Sequence, residues 1–279
     1  MIIDAHQHFW RVGRGDYGWL TPAVGPIYRD FMPEDLAPTL ARLGIDGTIL
    51  VQAAPTVAET RFMLEIASRW DTAKGVVGWV DFEDPEAGAL MAELRSSGPL
   101  VGVRPMMQDI PDDDWMLRPD LDRAFQSVTA LGLVFDALVF PRHLRRLLSL
   151  LERHPHLRTV IDHGAKPEIR SRAFADWAQG MSALARQTTA CCKISGLVTE
   201  AGATWNDESL KPYVDHLLAS FGPERLIWGS DWPVCTLTAS YEAWFEATQR
   251  LLAGLSTGER AAVMGGNAER VYRLAGGRP

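Results

Sequence analysis

Two histidines one residue apart, His6 and His8 in "DAHQHFW", close an apolar run that begins at Ile2. On an extended strand alternate side chains share a face, so both imidazoles project side by side while Gln7 points away. Such a pair is costly to bury unless an anion, a metal ion or a shared proton lies between the rings. Two further apolar runs end in polar groups of the same kind. "VIDHGAKP" delivers His163 and Lys166, and "IWGSDWP" delivers Ser230, Asp231 and Trp232. Taken singly, His163 reads as a hydrogen-bonded structural residue and Asp231 as a turn residue. Taken together, three neutral imidazoles and a carboxylate are what a zinc-like cation prefers.

Residues so far apart in the chain meet only if a regular scaffold brings strand ends together. Short apolar runs alternate with amphipathic segments throughout. The runs predict strands at 2–5, 47–51, 75–80, 100–103, 133–139, 159–162, 190–194 and 225–228. Between them lie helical patterns such as "PEDLAPTLARLG", with Pro33 near its start and Gly44 at its end. A capping-box pattern, Ser256 to Glu259, opens the last one. Eight strands alternating with helices imply parallel pairing through right-handed crossovers. No G-x-G-x-x-G or P-loop follows a strand, which weakens a nucleotide-binding open sheet. The expected architecture is α/β, a (β/α)8 TIM barrel in one domain spanning 1–279.

In such a barrel the active site lies at the C-terminal strand ends. Reading those ends adds Gln52, Trp79, Asp81, Arg104, Asp136, Lys193 and Ser195 to the histidines and Asp231. His143, His154, His156 and His216 sit in helical contexts and read as surface or packing residues. The 279 residues are 47% hydrophobic with a net charge of −7, which argues against nucleic acid or an anionic membrane as partner. Three cysteines form no disulfide framework, and there is neither a signal-peptide pattern nor an apolar stretch of membrane-spanning length. The expectation is a cytoplasmic protein; whether it forms a homo-oligomer stays open.

"DAHQHFW", "DHGAKP", "WGSDWP" and the closing "GNAERVY" together resemble the amidohydrolase superfamily. More narrowly they resemble its branch of TIM-barrel hydrolases that includes L-fuconolactonase, L-rhamnonolactonase and 2-pyrone-4,6-dicarboxylate lactonase. The resemblance runs over nearly the whole chain, in order. It implies that His6, His8, His163 and Asp231 occupy the family's active-site positions, as catalytic groups and as ligands of any metal bound. Two departures stand out: Arg104 stands on strand four where binuclear members carry a carboxylated lysine or glutamate, and strand five offers no histidine. The implied cofactor is one divalent cation, zinc first, and whether catalysis needs it stays open.

The implied reaction is hydrolysis of a sugar lactone, with Asp231 activating water and the three histidines polarising the carbonyl directly or through the cation. Arg104, Lys193, Gln52, Trp79, Lys166 and Trp232 are the expected substrate-binding residues, the tryptophans offering flat faces to a sugar ring. Gln108 and Asp81 are further candidate hydroxyl ligands, and the acidic loop 105–119 is a candidate lid. A metal-dependent decarboxylase of the same superfamily and a non-catalytic sugar-acid binder are the alternatives.

Overall fold

The structure, a computed structural model, describes residues 1–274. Its strands are β1 (Ile3–Gln7), β2 (Gly47–Val51), β3 (Ala73–Gly78), β4 (Leu100–Val103), β5 (Val134–Ala137), β6 (Thr159–Ile161), β7 (Cys191–Ile194) and β8 (Leu226–Trp228). Each pairs in parallel with the next, in the order β1 to β8. The seam between the first and last strands is bridged where Gln7 pairs with Trp232. There the His8 amide donates to the Trp232 carbonyl and the Asp231 amide to the His6 carbonyl, both at 2.7 Å. The sheet therefore curls into the expected (β/α)8 barrel. β1 runs two residues beyond its expected end and β5 is shorter than its apolar run, because Leu133 and Val139 are buried in connections rather than in the ladder.

Helices return the chain between strands, and their ends follow local chemistry. Pro33–Leu43 carries proline in its first turn and stops at Gly44, whose φ of 67° suits glycine alone among the residues there. Thr56 caps Val57–Ala67 by accepting the Glu59 amide, and Ser256 with Glu259 forms the expected capping box. No helix among the described residues is long and apolar enough to cross a membrane.

Strand alternation sorts the barrel into layers. Ile3, Ala5, Ile49, Val51, Val77, Val134, Val160, Cys191 and Ile227 fill its interior, and Val271 and Tyr272 of the helix Asn267–Tyr272 close the lower end. Two residues further along β5, β6 and β7, the inward positions become Asp136, Asp162 and Lys193, all with no solvent exposure. A charged layer thus rests directly on the apolar one. On β1 the pairing register with β2 slips between Asp4 and Gln7, so the inward parity changes from Ile3 and Ala5 to His6 and His8. That slip is what turns both imidazoles toward the upper rim.

Candidate active site

The C-terminal strand ends bring His6, His8, His163 and Asp231 to one place. Asp231 Oδ1 lies 3.2 Å from His8 Nε2, 3.7 Å from His6 Nε2 and 3.9 Å from His163 Nε2. His8 Nδ1 donates to the Val51 carbonyl at 2.7 Å, and His163 Nδ1 is 2.8 Å from Ser195 Oγ. The chain turns sharply to present these groups: His163 and Asp231 have φ of 54° and 60°. A non-glycine residue pays about 1–2 kcal/mol for that left-handed conformation, and such outliers gather at functional sites.

Beneath His6 runs a buried ladder of charge. Lys193 Nζ lies 2.5 Å from Asp136 and 2.9 Å from Asp162, and Arg104 Nη1 donates to Asp162 at 3.1 Å. Tyr272 supports Asp136 from below at 2.9 Å. Burial pushes the Asp136 carboxyl up to about 6 against the pull of Lys193. Burial would raise Asp162 too, but Lys193, then His6 and Arg104, outweigh it and hold it well below the usual carboxylate range. Burial pushes His163 down to about 4 and His6 well below its ordinary value, so both rings are neutral at neutral pH. Asp231 is raised by burial but held below its ordinary value overall by the surrounding imidazoles, His163 foremost.

Above the cluster opens a cavity of about 560 Å³. His8, His163, Asp231, Arg104, Lys166 and Gln108 line it, with Trp19, Asp16, Asp109 and the apolar Leu138 and Val234. The other expected site residues lie elsewhere. Lys193 is not at the rim: it is wholly buried under His6, because strand alternation places it in the charged layer. Gln52 is also buried, its amide donating to the Arg104 carbonyl at 2.8 Å. Trp79 and Asp81 border a neighbouring cavity of about 240 Å³, and Trp232 packs against Phe9 and Phe31. Loop 105–119 contributes Met106, Gln108 and Asp109 to the cavity wall.

Asp162 and Asp16 lie outside the expected set of site residues. Asp162 was legible from alternation, being two residues after the interior Val160. Asp16 carries no such signal; Arg14 and Thr56 hold its Oδ2 at 2.6 and 2.9 Å.

The donor set fits a divalent cation. Ligand atoms of His6, His163 and Asp231 all lie within 4.8 Å of one another. Because His8 spends its Nδ1 proton on Val51, a neutral His8 turns a lone pair toward the Asp231 carboxylate 3.2 Å away. Two acceptors so close require a proton or a cation between them. Ligands about 2 Å from a tetrahedral zinc ion stand at a comparable separation.

Gly196 has φ +65°, and a Cβ there would lie 2.7 Å from His163 Nδ1. Gly196→Ala is therefore expected to cost at least about 1–2 kcal/mol of stability and to turn His163 off Ser195. Thermal melts and kcat of the variant check it; wild-type values for both contradict the assigned packing.

The amidohydrolase family (Amidohydro_2) matches residues 3–274. An L-fucono-1,5-lactonase of Burkholderia ambifaria is 46% identical, over 98% of this chain and 95% of its own. An L-fucono-1,5-lactonase of Burkholderia multivorans is 37% identical, over 98% and 96%. Among solved structures, an amidohydrolase from Burkholderia multivorans with bound zinc superposes with a TM-score of 0.93. It is 37% identical, with 98% of this chain and 99% of that one covered.

Proposed function

Because the chain belongs to the amidohydrolase family, we propose that it hydrolyses a sugar lactone to the aldonic acid, with L-fucono-1,5-lactone the first candidate and L-rhamnono- and L-galactonolactones next. The observation that carries this reading is a carboxylate ringed by three imidazoles on the wall of a cavity large enough for a sugar ring. The similarity to two L-fucono-1,5-lactonases over nearly the full chain supports the choice of substrate.

In this mechanism Asp231 takes a proton from water as the water oxygen adds to the lactone carbonyl. The developing oxyanion is held at the imidazole cluster. Collapse of the tetrahedral intermediate breaks the ring C–O bond, and the proton on Asp231 passes to the departing alkoxide. The products are a carboxylic acid and a free hydroxyl, so atoms balance. A lactone is an activated ester, so modest electrophilic help suffices. His6, His8, His163 and Asp231 would hold a divalent cation, which when bound supplies Lewis-acid polarisation of the carbonyl. Arg104 and Lys166 reach the cavity and grip substrate oxygens, and Trp19 offers a ring face. Gln52 and Lys193 act from beneath, by holding Arg104 and His6.

The test is a pH-indicator screen of sugar 1,4- and 1,5-lactones with enzyme as purified, after chelation, and after zinc is restored. Turnover of L-fucono-1,5-lactone is the expected result. Survival through chelation means the side chains alone suffice, whereas loss with rescue by zinc makes the four residues working ligands. Absence of turnover on every lactone under all three conditions sinks the reading.

A further inference from the structure

We propose that Arg104 is a resident cation of this site, whose guanidinium competes with a divalent metal ion for the lone pair of His6. The inference takes the location of the site from the proposed function and concerns metal binding rather than the substrate.

A neutral imidazole has one N–H and one lone pair. His6 Nε2 lies 3.2 Å from Arg104 Nη1, and a guanidinium donates hydrogen bonds but never accepts them. On this proposal Nε2 is the nitrogen without a proton, accepting from Arg104. The proton then sits on Nδ1, and Asp162 Oδ1 is the carboxylate oxygen beside it, at 3.4 Å. Lys193 Nζ also approaches Nδ1, at 3.2 Å, donating to Asp136 at 2.5 Å and standing in ion-pair range of Asp162 Oδ1 at 2.9 Å. Among the described residues that buried oxygen accepts no hydrogen bond from any other group, which favours an N–H on Nδ1 facing it.

A metal held by His6, His163 and Asp231 must use this same Nε2, the nitrogen that faces Asp231. An imidazole lone pair has one direction, in the ring plane, and a zinc ion would sit along it at about 2.0–2.1 Å. Arg104 already directs an N–H there. Nor is the guanidinium free to leave. Nη1 also donates to Asp162 at 3.1 Å, Nη2 donates to the Gln52 carbonyl, and the Gln52 amide returns to the Arg104 carbonyl at 2.8 Å. The side chain is almost wholly buried. A metal ion enters only by displacing this anchored cation or by lying beside its charge.

The experiment measures zinc affinity of metal-free wild type and Arg104→Met by competition with a chromogenic chelator. The variant is expected to bind zinc tighter by about tenfold or more, since a fixed positive charge and a competing donor are both removed. Equal or weaker binding overturns the proposal. Removing Arg104 leaves Asp162 with Lys193 alone, so a measurement on wild type stands beside the variant and decides if the variant does not fold. Long-range 1H–15N correlation on 15N-histidine-labelled, metal-free protein, with His6 assigned through His6→Gln, reads the tautomer directly. A proton on Nδ1 and none on Nε2 is the expected spectrum; a protonated Nε2 overturns the proposal. Neither readout uses a lactone, so failure of the lactonase reading and failure of this one are told apart.

Discussion

Asp231→Asn is expected to lower kcat for the proposed lactone hydrolysis by about 10²–10⁴-fold while leaving the melting temperature within a few degrees of wild type. The loss follows because an amide cannot take a proton from water. The fold survives for a local reason. His8 turns an Nε2 lone pair toward position 231 at 3.2 Å, and an asparagine amide can donate to it without any proton or cation between them. The backbone contacts that hold the turn, Asp231 amide to His6 carbonyl and Cys235 amide to Asp231 carbonyl, do not involve the side chain. Zinc affinity should fall in the same variant, because the carboxylate common to all three imidazoles is gone. Asp162 is badly placed to substitute as base: it is wholly buried in the layer beneath the cavity, with Lys193 and Arg104 beside its two oxygens at 2.9 and 3.1 Å. The cavity wall does hold Asp16 and Asp109. A kcat within about tenfold of wild type would place the base at one of them and dismiss Asp231 from that role.

The residues that converge on this site were legible to different degrees, for physical reasons. Alternating apolar runs and amphipathic helices have few parallel solutions, so the barrel and the strand ends at His6, Arg104, His163 and Asp231 could be read from periodicity. What periodicity alone could not show is depth. Lys193 reads as a rim residue because it is a polar group near the end of the run 190–194. Yet it lies two residues after the interior Cys191, and that step puts it in the layer beneath the histidines rather than beside the cavity. Asp162 belongs to the same layer by the same count from Val160. The parity change on β1 is a register slip, which no residue pattern in "MIIDAHQHFW" announces. Asp16 and Trp19 reach the cavity from the long excursion after β1, where no regular period fixes direction. The cost of burying charge is the better guide here. Four ionisable groups at the ends of neighbouring strands, two of each sign, imply mutual pairing before they imply ligand contact.

That pairing makes Lys193→Met the substitution with the largest expected effect on stability, about 3–5 kcal/mol at neutral pH. Lys193 is wholly buried and bridges Asp136 and Asp162, and the ladder of these three with Arg104 is formally neutral. Without the ammonium, one negative charge in the barrel interior has no counterpart. Asp162 keeps Arg104, whereas Asp136 keeps only the Tyr272 hydroxyl, so Asp136 bears the penalty. Two consequences separate this account from simple loss of packing. Asp136→Asn added to Lys193→Met restores neutrality and should recover most of the lost stability, a strongly non-additive pair. The penalty should also shrink in acid. Burial already pushes Asp136 up to about 6 with the ammonium present, and its removal moves the folded-state value higher still. A carboxyl whose folded value lies above its unfolded one binds more protons in the native state. Stability of the variant therefore rises as pH falls from above the folded value, itself higher than about 6, toward the unfolded one. Denaturant midpoints for wild type, the single variant and the double variant at both ends of that range make the test. A single-variant loss below about 1 kcal/mol would show the ladder to be unimportant for stability. A double variant no better than the single would show that lost packing, not stranded charge, sets the cost.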